Sequence, residues 1–284
     1  MSQKVYKHTI QHFKIINMKK IKALILSGYG LNCEEETKFA FEIAGARGEI
    51  IHINDLIDEP KKIMQFNIMA FPGGFSYGDD TGSGYAFANK IRNHLWQEIG
   101  AFAKKDTLII GICNGFQILV NLGLLPALNK NYGVREVALL HNESARYINR
   151  WVDLKIENET PWFRDIKDIS LPIAHGEGKF YADVKVHSHL KKKKLIAARY
   201  AKGEIYKYQR QLANPNGSLD DIAAITDETG RILGIMPHPE RAIDFTHLPH
   251  WTYLKEKLTR EGKSLPAQGP GLQIFQNAVA YFRE

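Results

Sequence analysis

Residues Leu108 to Leu122 read L-I-I-G-I-C-N-G-F-Q-I-L-V-N-L, and the order of residue types within them decides the fold. An isoleucine-rich apolar run stops at Gly111-Ile112-Cys113-Asn114-Gly115, and a helix-like stretch follows. That succession predicts a strand, a turn too tight for side chains on its flanks, and a helix. A residue at such an elbow is held exposed and strained at the carboxyl edge of a sheet, as serine is in G-x-S-x-G hydrolases. Here the residue is Cys113. Its sulfur is expected at the amino end of the helix, where unpaired N–H groups and the helix dipole favour a thiolate. The competing reading is a buried structural cysteine closing a core strand, because free cysteines are commonly packing residues.

Upstream, Ile21 to Leu26 is a short β-type run, followed by the loop Ser27-Gly28-Tyr29-Gly30-Leu31. Asn32 with Glu35 resembles a capping box, opening a helix with Phe39 and Ile43 on its apolar side and Gly45 as its stop. Glu49 to Ile53 and Ile68 to Phe71 are further strands, and one long helix is expected from about Tyr85 to Ala103. Strands alternating with helices imply right-handed crossovers and a mainly parallel sheet flanked by helices. Ligands in such folds gather beyond the carboxyl ends of the strands. Glycine-bearing loops fall there after Leu26, after Phe71 and around Cys113.

The second half changes character. Glu136 to Leu140, Trp151 to Ile156, Leu195 to Tyr200 and Ile222 to Thr226 read as strands with few helices between them, forming a mixed or antiparallel extension. Arg231 to Met236 is a further strand and Leu272 to Phe282 a closing helix. Thr246 to Pro270 is the least regular stretch. Residues 1–20 read as an amino-terminal extension and residues 21–284 as one domain.

The totals restrict the function. The chain has 284 residues, 44% hydrophobic and 24% charged, which suits a globular protein with a substantial core. No apolar run is long enough to span a bilayer. Met1 to Lys20 is basic but lacks the apolar centre of a secretory signal. Two cysteines, Cys33 and Cys113, make no disulfide framework, so a reducing cytoplasm is expected. The net charge of +7 comes from scattered lysines, and the run Lys191 to Lys194 reads as a solvated turn. No nucleic-acid motif accompanies it.

A cysteine nucleophile needs a base, and the base needs an orienting group. Ile235-Met236-Pro237-His238-Pro239-Glu240 supplies both. Prolines stiffen the segment, and in extended chain His238 and Glu240 share a side. Alone, His-Pro-Glu equally fits a surface turn. Phe71-Pro72-Gly73-Gly74-Phe75-Ser76-Tyr77-Gly78-Asp79 lets bare backbone approach a ligand. Attack on an amide carbonyl creates an oxyanion, best held by preorganised N–H donors. Gly74, with Phe75, and the amide of Asn114 are the candidates. A phosphate loop competes, but no Gly-Lys-Ser/Thr ending follows. Gln117, one turn into the elbow helix, is within reach of a substrate over Cys113. His175-Gly176-Glu177-Gly178 and His187-Ser188-His189 offer metal-type ligands by composition. They lack the usual zinc spacings, so no metal site is expected.

Together these segments resemble the class I, triad-type glutamine amidotransferases, with G-x-C-x-G-x-Q at the elbow and H-x-E after a distal strand. Phe71 to Asp79, Pro172 to Phe180 (P-I-A-H-G-E-G-K-F), Asn214 to Ser218 (N-P-N-G-S) and Met236 to Ala242 (M-P-H-P-E-R-A) narrow the resemblance to the glutaminase component of phosphoribosylformylglycinamidine synthase. The likeness covers nearly everything after residue 20. It implies a flavodoxin-like α/β fold and a triad of Cys113, His238 and Glu240 that hydrolyses L-glutamine. It further implies ammonia transfer to a synthetase subunit, which amidates formylglycinamide ribonucleotide in purine synthesis, and a small third subunit. No cofactor is expected on this chain, since ATP and Mg²⁺ belong to the synthetase. His141 to Trp151 is similar to a family segment near bound glutamine, which marks Asn142 and Ser144. The chain departs from the commoner pattern at Asp80 to Gly84 and at Ser27 to Gly30, which bears on partner coupling. Another cysteine hydrolase or glutamine amidotransferase on this fold, or a silent regulatory module, are the alternatives.

Overall fold

The computed structural model describes residues 21–79 and 82–284. The expected amino-terminal extension 1–20 and positions 80 and 81 of the departing loop lie outside the described residues.

Five strands form the parallel half of one sheet: β1 (Lys22–Ser27), β2 (Arg47–His52), β3 (Ile68–Phe71), β4 (Leu108–Ile112) and, far along the chain, β11 (Ile232–Ile235). The remainder are β5 (Val137–His141), β6 (Ile148–Ile156), β7 (Asp168–His175), β8 (Glu177–Ala182), β9 (Ile196–Ala201) and β10 (Ile222–Thr226). The sheet order is β2-β1-β3-β4-β11-β10-β9-β6-β7, and β5 pairs with β8 in a separate two-stranded ribbon. From β11 onward each pairing is antiparallel. The expected parallel sheet and its antiparallel extension are therefore one continuous layer. β3 and β4 are buried at every position, which explains why they read as unbroken apolar runs.

The helices are α1 (Glu34–Ile43), α2 (Ile53–Asp58), α3 (Tyr85–His94), α4 (Trp96–Lys104), α5 (Asn114–Leu122), α6 (Val184–Lys192), α7 (Glu204–Gln209), α8 (Trp251–Arg260) and α9 (Leu272–Ala280). The expected long helix from Tyr85 is broken at Leu95, which leaves the helical region at φ −130°. Its halves have different partners: α3 packs on α5, and α4 on the turn at Pro60–Gln65. In α1 the buried residues are Thr37, Ala40 and Phe41, while Phe39 and Ile43 face solvent, the reverse of the expected stripe. Phe41 meets Phe275 of α9 edge to face, with centroids 4.9 Å apart, and this contact sets the helix rotation. The capping box is also absent from α1. The amides of Asn32 and Cys33 instead donate to Gly73 O, at 3.1 and 3.2 Å, tying the loop after β1 to the loop after β3. Lys191 and Lys192 end α6, and all of Lys191 to Lys194 are exposed. The region from Thr246 to Pro270 carries α8, which has no buried residue.

Candidate active site

The elbow is built by interlocking backbones. A Cβ at Gly115 would lie 1.8 Å from Phe71 O, and one at Gly111 would lie 2.6 Å from Gly115 O. Only glycine lets β3, β4 and α5 come this close. Between them Cys113 is forced to φ 52°, ψ −105°, a region that costs a side-chain-bearing residue free energy. Its amide donates to Ile235 O at 2.8 Å, closing the β4–β11 ladder in which Ile112 and Ile235 are register partners. Cys113 and the segment leading to His238 therefore leave adjacent parallel strands at the same level.

His238 follows β11 and is fixed from behind by its amide, which donates to Pro172 O of β7 at 2.8 Å. Its Nδ1 stands 2.5 Å from Glu240 Oε1, and both residues are almost fully buried. Burial works against an imidazolium here. The Glu240 carboxylate, and behind it the Cys113 sulfur, outweigh burial and raise the imidazole well above its ordinary pKa. The opposite nitrogen, Nε2, is buried with no hydrogen-bond partner among the described residues. The sulfurs of Cys113 and Cys33 are the ring's other close neighbours, short of a full hydrogen bond to Nε2. Such contacts commonly tighten only when substrate is present. Cys113 Sγ lies 3.7 Å from Ala174 O of β7, so the antiparallel end of the sheet curls back over the carboxyl edge.

The loop after β3 offers the Gly74 amide as a backbone donor. The antiparallel bridge between Leu31 and Gly74 is closed by Asn32 N to Gly73 O and by Phe75 N to Gly30 O, the latter at 2.7 Å. The Phe75 amide is thereby committed, and the Gly74 amide stands outside the bridge. Gly74 has φ +152°, and a Cβ there would meet Gly30 O and Leu31 Cα at 2.6 Å. The Asn114 amide opens α5 and belongs to the donors a helix start leaves unpaired.

Of the remaining candidates, Gln117 and Asn142 are engaged inside the protein. The Gln117 amide accepts from Asn114 Nδ2 at 2.8 Å and donates to Glu177 O at 2.5 Å. Asn142 Nδ2 donates to Arg146 O and His175 O, both at 2.8 Å, and its Oδ1 accepts from Gly178 N at 3.1 Å. With the amide orientation so fixed, His175 Nδ1, 3.0 Å from the same Oδ1, carries the proton. Burial, then the charge of His238, pushes His175 down to about 3. Ser144 is exposed on the turn after β5. Asn216 Nδ2 and Ser218 Oγ both donate to Gly178 O, joining the N-P-N-G-S and H-G-E-G segments in one buried network. Sequence reasoning quoted both segments but did not foresee that they meet.

It also missed Cys33, which is wholly buried. Its Sγ, a ring nitrogen of His238 and a carboxylate oxygen of Glu240 lie within 4.8 Å of one another. By atom type these three groups could hold a metal ion. Arg241 Nη2, however, donates to that sulfur at 2.9 Å, a fixed cation where another would have to sit. The signal available in the sequence was position, since Cys33 follows the first of the three edge loops.

The fold and this elbow define a class, and comparison with known proteins agrees: the profile of the CobB/CobQ-like glutamine amidotransferase domain matches residues 20–282. Phosphoribosylformylglycinamidine synthase subunit PurQ of Methanococcus maripaludis is 48% identical over 93% of this chain and 98% of its own length. The PurQ subunit of Dehalococcoides mccartyi is 41% identical, over 94% of this chain and all of that relative. The chain belongs to this PurQ family. A solved structure of PurLQS from Thermotoga maritima contains a chain 30% identical, with a TM-score of 0.67, covering 93% of this chain and 99% of that one.

Proposed function

We propose that this chain is the glutamine-hydrolysing subunit of a phosphoribosylformylglycinamidine synthase, with residues 21–284 acting as one amidotransferase unit. The observation that carries the reading is the buried 2.5 Å contact between His238 Nδ1 and Glu240, just beyond the strand that pairs with the one leading into Cys113.

The chemistry follows from the groups present. The Cys113 sulfur attacks the side-chain carbonyl carbon of glutamine, and the carbonyl oxygen becomes an oxyanion facing the Gly74 and Asn114 amides. His238 delivers a proton from Nε2 to the departing nitrogen, so ammonia leaves and a γ-glutamyl thioester remains. The now neutral imidazole takes a proton from water, whose oxygen attacks the thioester, releasing glutamate and returning the sulfur as the thiolate that attacked, beside the restored imidazolium. Glu240 orients the ring and stabilises its charged form. Gln117 and Asn142 act by shaping the surroundings of the substrate, since their side-chain groups are already bonded within the protein.

Ammonia then passes to a synthetase subunit that amidates formylglycinamide ribonucleotide with ATP and Mg²⁺, aided by a small third subunit. This chain needs no cofactor of its own. No helix among the described residues is long and apolar enough to cross a membrane, and we place the reaction in the cytoplasm. The test is the complex reconstituted with Cys113→Ala. Glutamine-dependent synthesis should disappear while ammonia-dependent synthesis continues. Loss of both, or retention of the glutamine-dependent reaction, would reject the assignment.

A further inference from the structure

Arg241 follows Glu240 directly in the chain, and its guanidinium feels the charge of that carboxylate. Yet Glu240 Oε2 is buried with no hydrogen-bond partner among the described residues. Instead Arg241 Nη2 donates to Cys33 Sγ at 2.9 Å, and its Nε lies 3.9 Å from Glu36 Oε1 of α1. A guanidinium able to reach an unpaired carboxylate oxygen would ordinarily take it, because charge-assisted bonds of that type are among the strong ones. Here the guanidinium is engaged by the Cys33 sulfur, which itself lies within 4.8 Å of a Glu240 carboxylate oxygen.

The sulfur is itself held in place. The Cys33 amide donates to Gly73 O, the thiol lies 3.3 Å from Asn32 Oδ1, and a Cβ on Gly73 would meet both Cys33 Sγ and His238 Cε1. Burial outweighs the nearby His238 and Arg241 and raises the Cys33 thiol. Resting on the function proposed above, we infer that Cys33 is a positioning residue: its sulfur holds Arg241 away from Glu240, so that the whole carboxylate charge acts on His238.

Without the sulfur, Arg241 can swing onto Glu240 and weaken its hold on the imidazolium. The titratable or charged groups around the pair are Cys33, Cys113, His175, Tyr147 and Arg241, with Glu36 behind Arg241. The imidazolium must donate to the leaving nitrogen, so its deprotonation sets the alkaline limb of kcat/KM for glutamine.

The experiment uses the full chain in complex with its synthetase and compares pH profiles of glutamine hydrolysis. Cys33→Ala should move the alkaline limb down by about one pH unit, with kcat falling more than KM changes. Arg241→Gln added to Cys33→Ala should return the limb towards the wild-type position. Cys33→Ser, which keeps a small acceptor opposite the guanidinium, should leave it there throughout. Should Cys33→Ala not fold, Cys33→Val, which fills the space but accepts no hydrogen bond, carries the same comparison. An unmoved limb, or one that Arg241→Gln fails to restore, overturns the inference. Absence of glutamine hydrolysis by the wild-type complex would instead count against the functional assignment.

Discussion

His175 and His238, each about 2% exposed, are held in opposite charge states within one site. Glu240 keeps a proton on His238 against the cost of burial, while burial and the charge of His238 keep His175 neutral. The two groups consequently act on stability in different pH windows. His238 has a raised folded value, so its contribution is complete below about pH 6.5, the unfolded value, and is lost as the pH climbs on through the higher folded one. His175, pushed down to about 3, takes a proton only in the unfolded chain, so stability falls as the pH drops below its unfolded value. Between pH 7 and pH 5 this loss amounts to about 2 kcal/mol. Urea unfolding of wild type and His175→Gln at both values checks it: the variant should lack that part of the decline. An identical decline in both proteins would contradict the assignment of the neutral state.

Replacing Glu240 by Gln keeps the shape of the side chain but removes its charge. Glutamine hydrolysis in the complex is expected to fall by a factor on the order of 10³ to 10⁴, as when the orienting carboxylate of a serine protease triad is neutralised. The folded state should persist. Steady-state kinetics with circular dichroism as a control decides the matter, and a loss below tenfold would remove Glu240 from the triad.

Gly115→Ala places a methyl where the Phe71 carbonyl already stands, 1.8 Å away. No flexible side chain can give way, because the obstacle is backbone. A destabilisation above about 4 kcal/mol is expected, which belongs to the rare severe class of substitutions. Soluble yield and melting temperature provide the readout; a variant within a few degrees of wild type would show that the elbow is looser than described.

Asn142→Ala removes an amide that serves Arg146 O, His175 O, Gly178 N and His175 Nδ1 together. Each buried group so orphaned costs about 1–3 kcal/mol, less what water recovers. A net loss of about 3 kcal/mol is expected from denaturant titration at an unchanged slope. Asn142→Asp should be similarly harmful, since a carboxylate cannot donate to the two carbonyls. Tolerance of both would mean that this network does not hold the turn.

The elbow was legible because its reason is local: Gly111, Cys113 and Gly115 lie within five positions, and steric demand sets the identity of the two glycines. The His238–Glu240 pairing was legible for the same reason, two residues in a stiffened segment. β7 and β8 were not. Pro172 interrupts the β7 pattern, yet it is tolerated because β7 is the edge strand of the sheet among the described residues. Gly178 and Lys179 break up the apolar run in β8, whose one partner is β5. Phe39 and Ile43 were misassigned because the packing of α9, far away in sequence, decides the rotation of α1. The contact of Cys33 with Arg241 spans 208 positions, and no local rule could reveal it.

β4 and β11 pair with each other in the interior of a nine-stranded sheet, as far from its rims as this fold permits. Amides there exchange with solvent only when the entire domain opens, whereas segments near the surface breathe at little cost. The nucleophile and its base leave the ends of those two strands. The backbone positions from which they leave are therefore as durable as the folded chain itself. Deuterium uptake should find Ile110 and Leu233 among the last positions to label, with loss of protection and loss of hydrolysis following one denaturation curve.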